Sequence, residues 1–479
     1  MNKQNIIYVA GGLLSLTSCN ETKQNEKPLN IVYILADDLG YGDLSCTGQT
    51  KYVTPNIDKL AAEGMLFTQH YAGCTVSAPS RSAFMTGMHT GHTPIRGNKE
   101  LPNEGQQPIP KNTYTVAKML KEAGYVTGAF GKWGLGAPGS DGDPINQGFD
   151  RFYGYNCQRE AHRYYPKHLW DNNKKVVFEG NSTGVPTEYA PDYIQREALR
   201  FIEGNKDKSF FLYLAYTLPH AELLVPKDTL FKSFVGKFEE RPYRPKGAEY
   251  GKNMNVMAYS PQEYPYAAFA AMVSRLDMYV GQVVEKLEEL GIADNTVIMF
   301  TSDNGPHTEG GANPKFFKSS GSFKGTKRDL TEGGIRLPLI VWAPGRVQNN
   351  VTNNHICASW DMLPTFADIA NVKLSDSIKV DGISIYPTLI GDEKNQITHD
   401  YLFWEFHEKT GDMAVRKGNW KAIKTNIKSG NPRIKLFDLS KDIHEDNDLS
   451  EMYPEVVSNM DSIMNVAHIE SSVFPLLNK

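Results

Sequence analysis

Residues 30–38 read NIVYILADD, an apolar run from Ile31 to Ala36 closed by two aspartates. A strand with one wet face alternates apolar and polar side chains. A continuous run rich in Ile and Val is instead covered on both faces, as in the middle of a parallel sheet. The two carboxylates then stand at the carboxyl end of that strand, where open α/β sheets collect their functional groups.

Working outward, the same unit recurs. Residues 54–67 (TPNIDKLAAEGMLF) read as a helix, with Thr54 as cap, Pro55 in the first turn and Gly64 at the end. A helix at 113–125 precedes a strand at 126–130, and a helix at 190–204 precedes a strand at 209–217. A long amphipathic helix at 269–291 leads to a strand at 295–305, and 336–345 reads as one more strand. This alternation predicts an α/β fold, a large doubly wound mixed sheet flanked by helices. It places Asp37, Asp38, Lys132, His220, Asp303 and Asn304 at strand carboxyl ends. Beyond about residue 371 the runs at 400–406, 412–424 and 433–440 become short and turn-bounded, with a closing helix at 455–470. The expected organisation is a main domain over 29–370 and a smaller α+β subdomain on an antiparallel sheet over 371–479.

The chain has 479 residues and a formal net charge of -4, which gives no electrostatic footprint for nucleic acid. Its 27 prolines and 11% aromatic content suit a globular, loop-rich enzyme. Cys19, Cys46, Cys74, Cys157 and Cys357 form no CxxC pair, so free thiols rather than a zinc site are expected. The apolar run before Cys19 is too short to span a bilayer. Residues 16–19, LTSC, resemble a bacterial lipobox. That resemblance implies a signal peptide over 1–19, lipidation of Cys19 and a tether over 20–28. It also implies a lipid-anchored protein in the periplasm or at the outer membrane or cell surface of a Gram-negative bacterium, touching membrane only through the lipid.

Asp37-Asp38 and Asp303-Asn304 offer oxygen donors without histidine or thiolate, a set that favours Ca²⁺ or Mg²⁺ over Zn²⁺. Residues 74–81, CTVSAPSR, hold two nucleophiles, Cys74 and Ser77. Pro79 fits the first turn of a helix through SRSAFMTG, which puts residue 77 just before the helix, in its positive N-terminal field. Arg81 is suited to charge-assisted hydrogen bonds to an anion.

These motifs resemble the type I sulfatases of the alkaline phosphatase superfamily. There a cysteine or serine is followed by any residue, Pro, Ser, Arg and, a few residues on, Thr-Gly. Here the pattern is Ser77-Ala78-Pro79-Ser80-Arg81 with Thr86-Gly87. Register selects Ser77, because counting from Cys74 puts Val76 and Ala78 where Pro and Arg belong. The resemblance covers most of the chain after residue 28. It implies that a maturation enzyme oxidises Ser77 to 3-oxoalanine (formylglycine), whose hydrate attacks sulfur and later expels sulfate. It further implies one Ca²⁺ held by Asp37, Asp38, Asp303, Asn304 and residue 77. Lys132 in FGKWGLG, His220 in TLPH and Lys327 in KRDLTEGG match the family's sulfate-binding groups, with His220 protonating the leaving alcohol. Gly134 departs from the family pattern, which has histidine there, so another group must substitute.

The implied activity is that of an exo-acting carbohydrate O-sulfatase on a sulfated saccharide, with 6-O-sulfated galactose or N-acetylgalactosamine preferred. Gln158, His162, Asp171, His307 and His407 are the candidate sugar contacts, as polar groups in aromatic-rich stretches. Alternatives are an arylsulfatase or a phosphodiesterase of the same superfamily. If Ser77 is never oxidised, the alternative is a non-catalytic sulfoglycan-binding lipoprotein.

Overall fold

The computed structural model describes residues 27–102, 104–182, 186–245 and 259–476; Cys19 and nearly all of the tether lie outside them. All eight residues of β1 (Asn30–Asp37) are buried, as a strand covered on both faces must be. The strands that follow are β2 (Met65–Tyr71), a two-residue pair β3 (Glu100–Leu101) and β4 (Gly105–Gln106), β5 (Val126–Lys132) and β6 (Arg151–Tyr155). Then come β7 (His168–Asp171), β8 (Lys174–Val177), β9 (Phe210–Pro219), β10 (Thr296–Ser302), β11 (Arg336–Trp342), β12 (Val351–Asn353) and β13 (Cys357–Ala358).

The large sheet runs β12-β2-β11-β10-β1-β9-β5-β6-β7-β8, with β13 also on β2. β1 is parallel to β9 and β10, and β5 is parallel to β9 and β6, so these strands all end at one edge. β11 runs antiparallel between β10 and β2, and β7 and β8 close the far side as antiparallel strands. Alternate residues of β1 serve opposite layers. Val32 and Ile34 pack with the helices Ala190–Gly204 and Pro265–Glu289, whereas Ile31, Tyr33 and Leu35 pack with Val116–Glu122 and Met362–Ile369.

The expected helix over 54–67 is shorter: it spans Pro55–Ala62, and Met65 already begins β2. Sheet pairing overrides local preference here. Gly64 passes so close to β11 that a Cβ on it would meet Val341 O at 2.3 Å, and Met65 then pairs with Val341. Thr54 caps nothing with its side chain; its Oγ1 accepts from Ser45 N and donates to Asp58.

The antiparallel sheet expected near the C-terminus consists of β14 (Leu402–Phe406), β15 (Asp412–Lys417), β16 (Trp420–Thr425) and β17 (Arg433–Asp438), in that order. One face packs on the helix Pro454–Ala467 through Met460 and Met464. The other packs on the main layer, where Trp404 and Ala414 meet Tyr71, Cys74 and Trp360. Among the described residues no helix is long and apolar enough to cross a membrane.

Candidate active site

Four parallel strand ends and one helix start converge. β1 delivers Asp37 and Asp38, β5 ends at Lys132, β9 leads into His220, and β10 leads into Asp303 and Asn304. Ser77 is the first residue of the helix Ser77–Thr86, with Val76 in the cap position, rather than lying just before the helix. Asn98 accepts from the first-turn N–H of Ala78, which has no intrahelical acceptor, at 3.1 Å and so fixes that turn.

Ser77 Oγ donates to Asp37 Oδ1 at 3.1 Å and lies 3.5 Å from Asn304 Oδ1. Lys132 Nζ donates to Asp37 Oδ2 at 2.6 Å and to Ser77 Oγ at 3.3 Å. Burial pulls the Lys132 ammonium down from its ordinary value, while Asp37 pulls the other way. Asp38 holds φ at 63°, a left-handed conformation that costs a non-glycine residue on the order of 1 kcal/mol. Its N–H, donated to Asp303 Oδ1 at 3.1 Å, holds that turn. Asp38 Oδ2 accepts from Lys327 Nζ at 2.8 Å, and Asn304 Nδ2 donates to Asp38 Oδ1 at 2.6 Å.

Arg81 differs from expectation. Its Nε and Nη2 both donate to Asp303 Oδ2, at 3.1 and 2.8 Å, and Nη1 donates to Lys132 O at 2.7 Å. It is a fully buried strut beneath the nucleophile, holding the carboxylate of β10 and the end of β5, not a group free to grip an anion. Asp303 is therefore the most committed of the oxygen donors.

His220 is the middle ring of three stacked imidazoles, 4.5 Å from His162 and 5.3 Å from His307. Its Nδ1 faces Ala221 O at 2.5 Å, and a carbonyl only accepts, so Nδ1 carries the proton. Nε2 is then an acceptor, matched by Lys327 Nζ at 2.9 Å. Burial first, then Lys327 and Lys132, hold His220 well below its usual value and keep it neutral. Lys327 loses some basicity to burial but is raised on balance by Asp38 and Glu309.

Ser77, Lys132, His220 and Lys327 open into a cavity of about 850 Å³, which Gln158 and His162 also line. The other three candidate sugar contacts do not line it. Asp171 pairs with Arg151 at the start of β6, near the opposite end of that strand from the residue beside Lys132. His307 is buried, its Nε2 facing Pro219 O at 3.1 Å and its Nδ1 accepting from Glu309 N at 3.2 Å. His407 is buried against Glu405, Nε2 to Oε2 at 2.8 Å. These three side chains serve packing and pairing, so they do not reach the cavity.

Glu309 and Arg328 are among the lining residues that the sequence does not point to. Glu309 lies 3.8 Å from both Lys327 and His220 and accepts from Arg328 Nη1 at 2.6 Å. Burial opposes its ionisation, but Lys327 and Arg328 hold its carboxyl far below the usual range. Both residues are loop neighbours of residues that were singled out, and loops carry no periodicity to point at a particular side chain. Cys74, the other nucleophile candidate, is fully buried and donates to Glu405 O at 3.3 Å; burial pushes its thiol up to about 12. It is a packing residue.

The oxygen donors of Asp37, Asp38 and Asn304 fit a hard cation, with the nitrogen donor His220 beside them. Asn304 turns its carbonyl oxygen toward Ser77, and ligand atoms of Asp37, Asp38 and His220 lie within 4.8 Å of one another.

Comparisons with known proteins agree with this geometry. The family model described as Sulfatase matches residues 29–372, and one described as N-sulphoglucosamine sulphohydrolase, C-terminal, matches 321–468. The chain is 29% identical to the N-acetylgalactosamine-6-O-sulfatase of Bacteroides thetaiotaomicron, over 97% of this chain and 98% of the relative. It is 33% identical to an arylsulfatase of Hemicentrotus pulcherrimus, over 84% of this chain and 69% of the relative. Among solved structures, Ps i-CgsB in complex with k-i-k-neocarrahexaose superposes with a TM-score of 0.74 at 30% identity, covering 92% of each chain. A family model that covers residues 29–372, with relatives matched over most of their length, makes the chain a member of the type I sulfatase family and a sulfuric ester hydrolase.

Proposed function

We propose that the protein is an exo-acting carbohydrate O-sulfatase that removes 6-O-sulfate from galactose or N-acetylgalactosamine at the end of a sulfated glycan. The observation that carries this reading is the setting of Ser77. Its Oγ stands at a helix start between Asp37 Oδ1 and Lys132 Nζ, only 2% exposed, in the wall of the 850 Å³ cavity. A sulfate must be carried down to such a buried group on a projecting sugar, which favours a chain end and an exposed primary position. The names of the relatives, N-acetylgalactosamine-6-O-sulfatase and arylsulfatase, support the class of substrate.

When Ser77 is converted to formylglycine and Ca²⁺ is bound among Asp37, Asp38, Asp303 and Asn304, they supply a hydrated aldehyde as nucleophile and Lewis-acid charge. The chain's own residues do the rest. Lys132 and Lys327 meet the negative charge of the sulfuryl oxygens from two sides, as a preorganised field. Asp37 Oδ1, already accepting from residue 77, is placed to receive its proton. The Lys327–His220 pair holds a proton on Nζ and an acceptor at Nε2, and so provides the leaving alcohol with its proton. Arg81 fixes Asp303 and the end of β5, so that Lys132 cannot drift.

The LTSC stretch supports a lipid-anchored enzyme of the periplasm or cell surface, matured by an enzyme acting on Ser77. The test is a panel of singly sulfated mono- and disaccharides incubated with matured protein, with sulfate release followed by ion chromatography. Release from 6-O-sulfated galactose or N-acetylgalactosamine is the expected result. Turnover of aryl sulfates alone would make it an arylsulfatase, and turnover of phosphodiesters alone would overturn the reading.

A further inference from the structure

Gly134, two residues beyond Lys132, has φ +76°, and a Cβ built on it would lie 1.9 Å from Gln158 Nε2 and 2.8 Å from Gln158 Cδ. The carboxamide of Gln158 thus occupies the space into which any side chain at 134 would project. Its position is fixed from both sides. Trp133 N and Gly134 N donate to Tyr155 O and Asn156 O, each at 2.9 Å, extending the pairing of β5 with β6 past the strand ends. Gln158 N donates to Gln106 Oε1 at 3.3 Å.

Gln158 is 4% exposed, yet Nε2 has no hydrogen-bond partner. A buried amide nitrogen left unpaired costs about 1–3 kcal/mol, so natural proteins retain one chiefly where something else pairs with it. Asn156 also has an unpaired buried amide but does not line the cavity, whereas Gln158 lines it with Ser77, Lys132, His220 and Lys327.

We propose that Gln158 donates through Nε2 to an oxygen of the sulfuryl group held at Ser77, acting as a neutral sulfate-binding donor in the space vacated by the glycine at 134. This deepens the sulfatase reading and rests on it. A carboxamide adds donors to the site without adding charge, so the existing balance of Lys132 and Lys327 against the aspartates is left intact. A side chain at 134 would displace the donor, so the glycine and the donor go together.

The test compares wild type with Q158E, Q158M and Q158A. Binding of inorganic sulfate is measured by calorimetry on unmatured protein, and kcat/KM on a sulfated sugar is measured on matured protein. Q158E keeps the shape and turns the donor into an acceptor. It is expected to weaken sulfate binding at least tenfold and to lower kcat/KM about 100-fold or more, with the melting temperature within a few degrees. Q158M, which fills the same volume, is expected to lose about 10- to 100-fold in kcat/KM, and it stands in for Q158A should the smaller side chain unfold the site. Sulfate affinity and kcat/KM within twofold of wild type in Q158E and Q158M would overturn the proposal. A wild type that binds sulfate but turns over no sulfate ester would instead defeat the proposed function, and the calorimetric comparison would still decide the role of Gln158.

Discussion

Lys327 Nζ lies 2.9 Å from His220 Nε2, and with Nδ1–H given to Ala221 O the ammonium is the donor of that pair. On the proposed mechanism the proton for the leaving oxygen is stored on lysine and passes to it through Nε2 of the neutral imidazole. A proton donor matters most when the departing alkoxide is a strong base. His220→Ala is expected to lower kcat/KM for a sugar sulfate by about 100- to 10,000-fold and for 4-nitrophenyl sulfate far less, because that phenolate leaves unaided. Equal losses on both substrates would assign His220 to binding alone.

The cation predictions concern Asp37 and Asp38. Chelation is expected to abolish turnover, and Ca²⁺ is expected to restore it. A cation at 100 times its Kd raises stability by about 2.7 kcal/mol, read as a higher melting temperature. Asp38→Asn should blunt that rise, and a calcium-independent melting temperature would count against a site at these residues.

The two sheets are tied together by a buried charge. Lys421 on β16 lies 2.9 Å from Glu332 and 3.0 Å from Glu445, and all three side chains are sealed from water. Lys421→Met takes the cation from Glu445 and leaves Glu332 with only Arg336 and Tyr71, and removing one partner from such a cluster costs about 3–5 kcal/mol. Urea unfolding should show a correspondingly lower midpoint with the active site untouched.

A buried neutral imidazole gives the clearest pH signature. His70 on β2 is fully buried, and burial alone lowers its value to about 3 from about 6.5. The folded value lies below the unfolded one, so the unfolded chain binds the extra proton first. Stability from His70 is complete above pH 6.5 and falls as pH drops from there toward 3. At pH 5 the loss is on the order of 2 kcal/mol. His70→Gln should flatten that part of the stability–pH curve, at some cost in packing at neutral pH, and an unchanged slope would show that His70 is hydrated.

The strands that could be read in advance were those buried on both faces, such as β1, β9 and β10, where a continuous apolar run has no other interpretation. Met65 to Phe67 was read as the end of a helix because a short apolar stretch fits either element until its partner, here β11, is known. Residues 151–155 and 168–177 gave no strand signal, since the β6–β8 edge is short and partly exposed. The carboxylates at 37, 38 and 303 could be located from strand ends alone. Which cation each would face could not: Arg81 proved to belong to Asp303, and Lys327 to Asp38. The sequence points to His307 and is silent on its neighbour Glu309, because chemistry alone cannot say which residue of a loop turns inward.

Everything in the catalytic account depends on residue 77 being more than a serine. The direct measurement is the mass of the tryptic peptide ending at Arg81, from protein isolated from its native host. Oxidation of Ser77 to formylglycine predicts a peptide lighter by two hydrogens, with the change mapping to Ser77 and not to Cys74. A peptide carrying only intact serine would contradict the account and leave a protein that binds sulfated sugars without hydrolysing them.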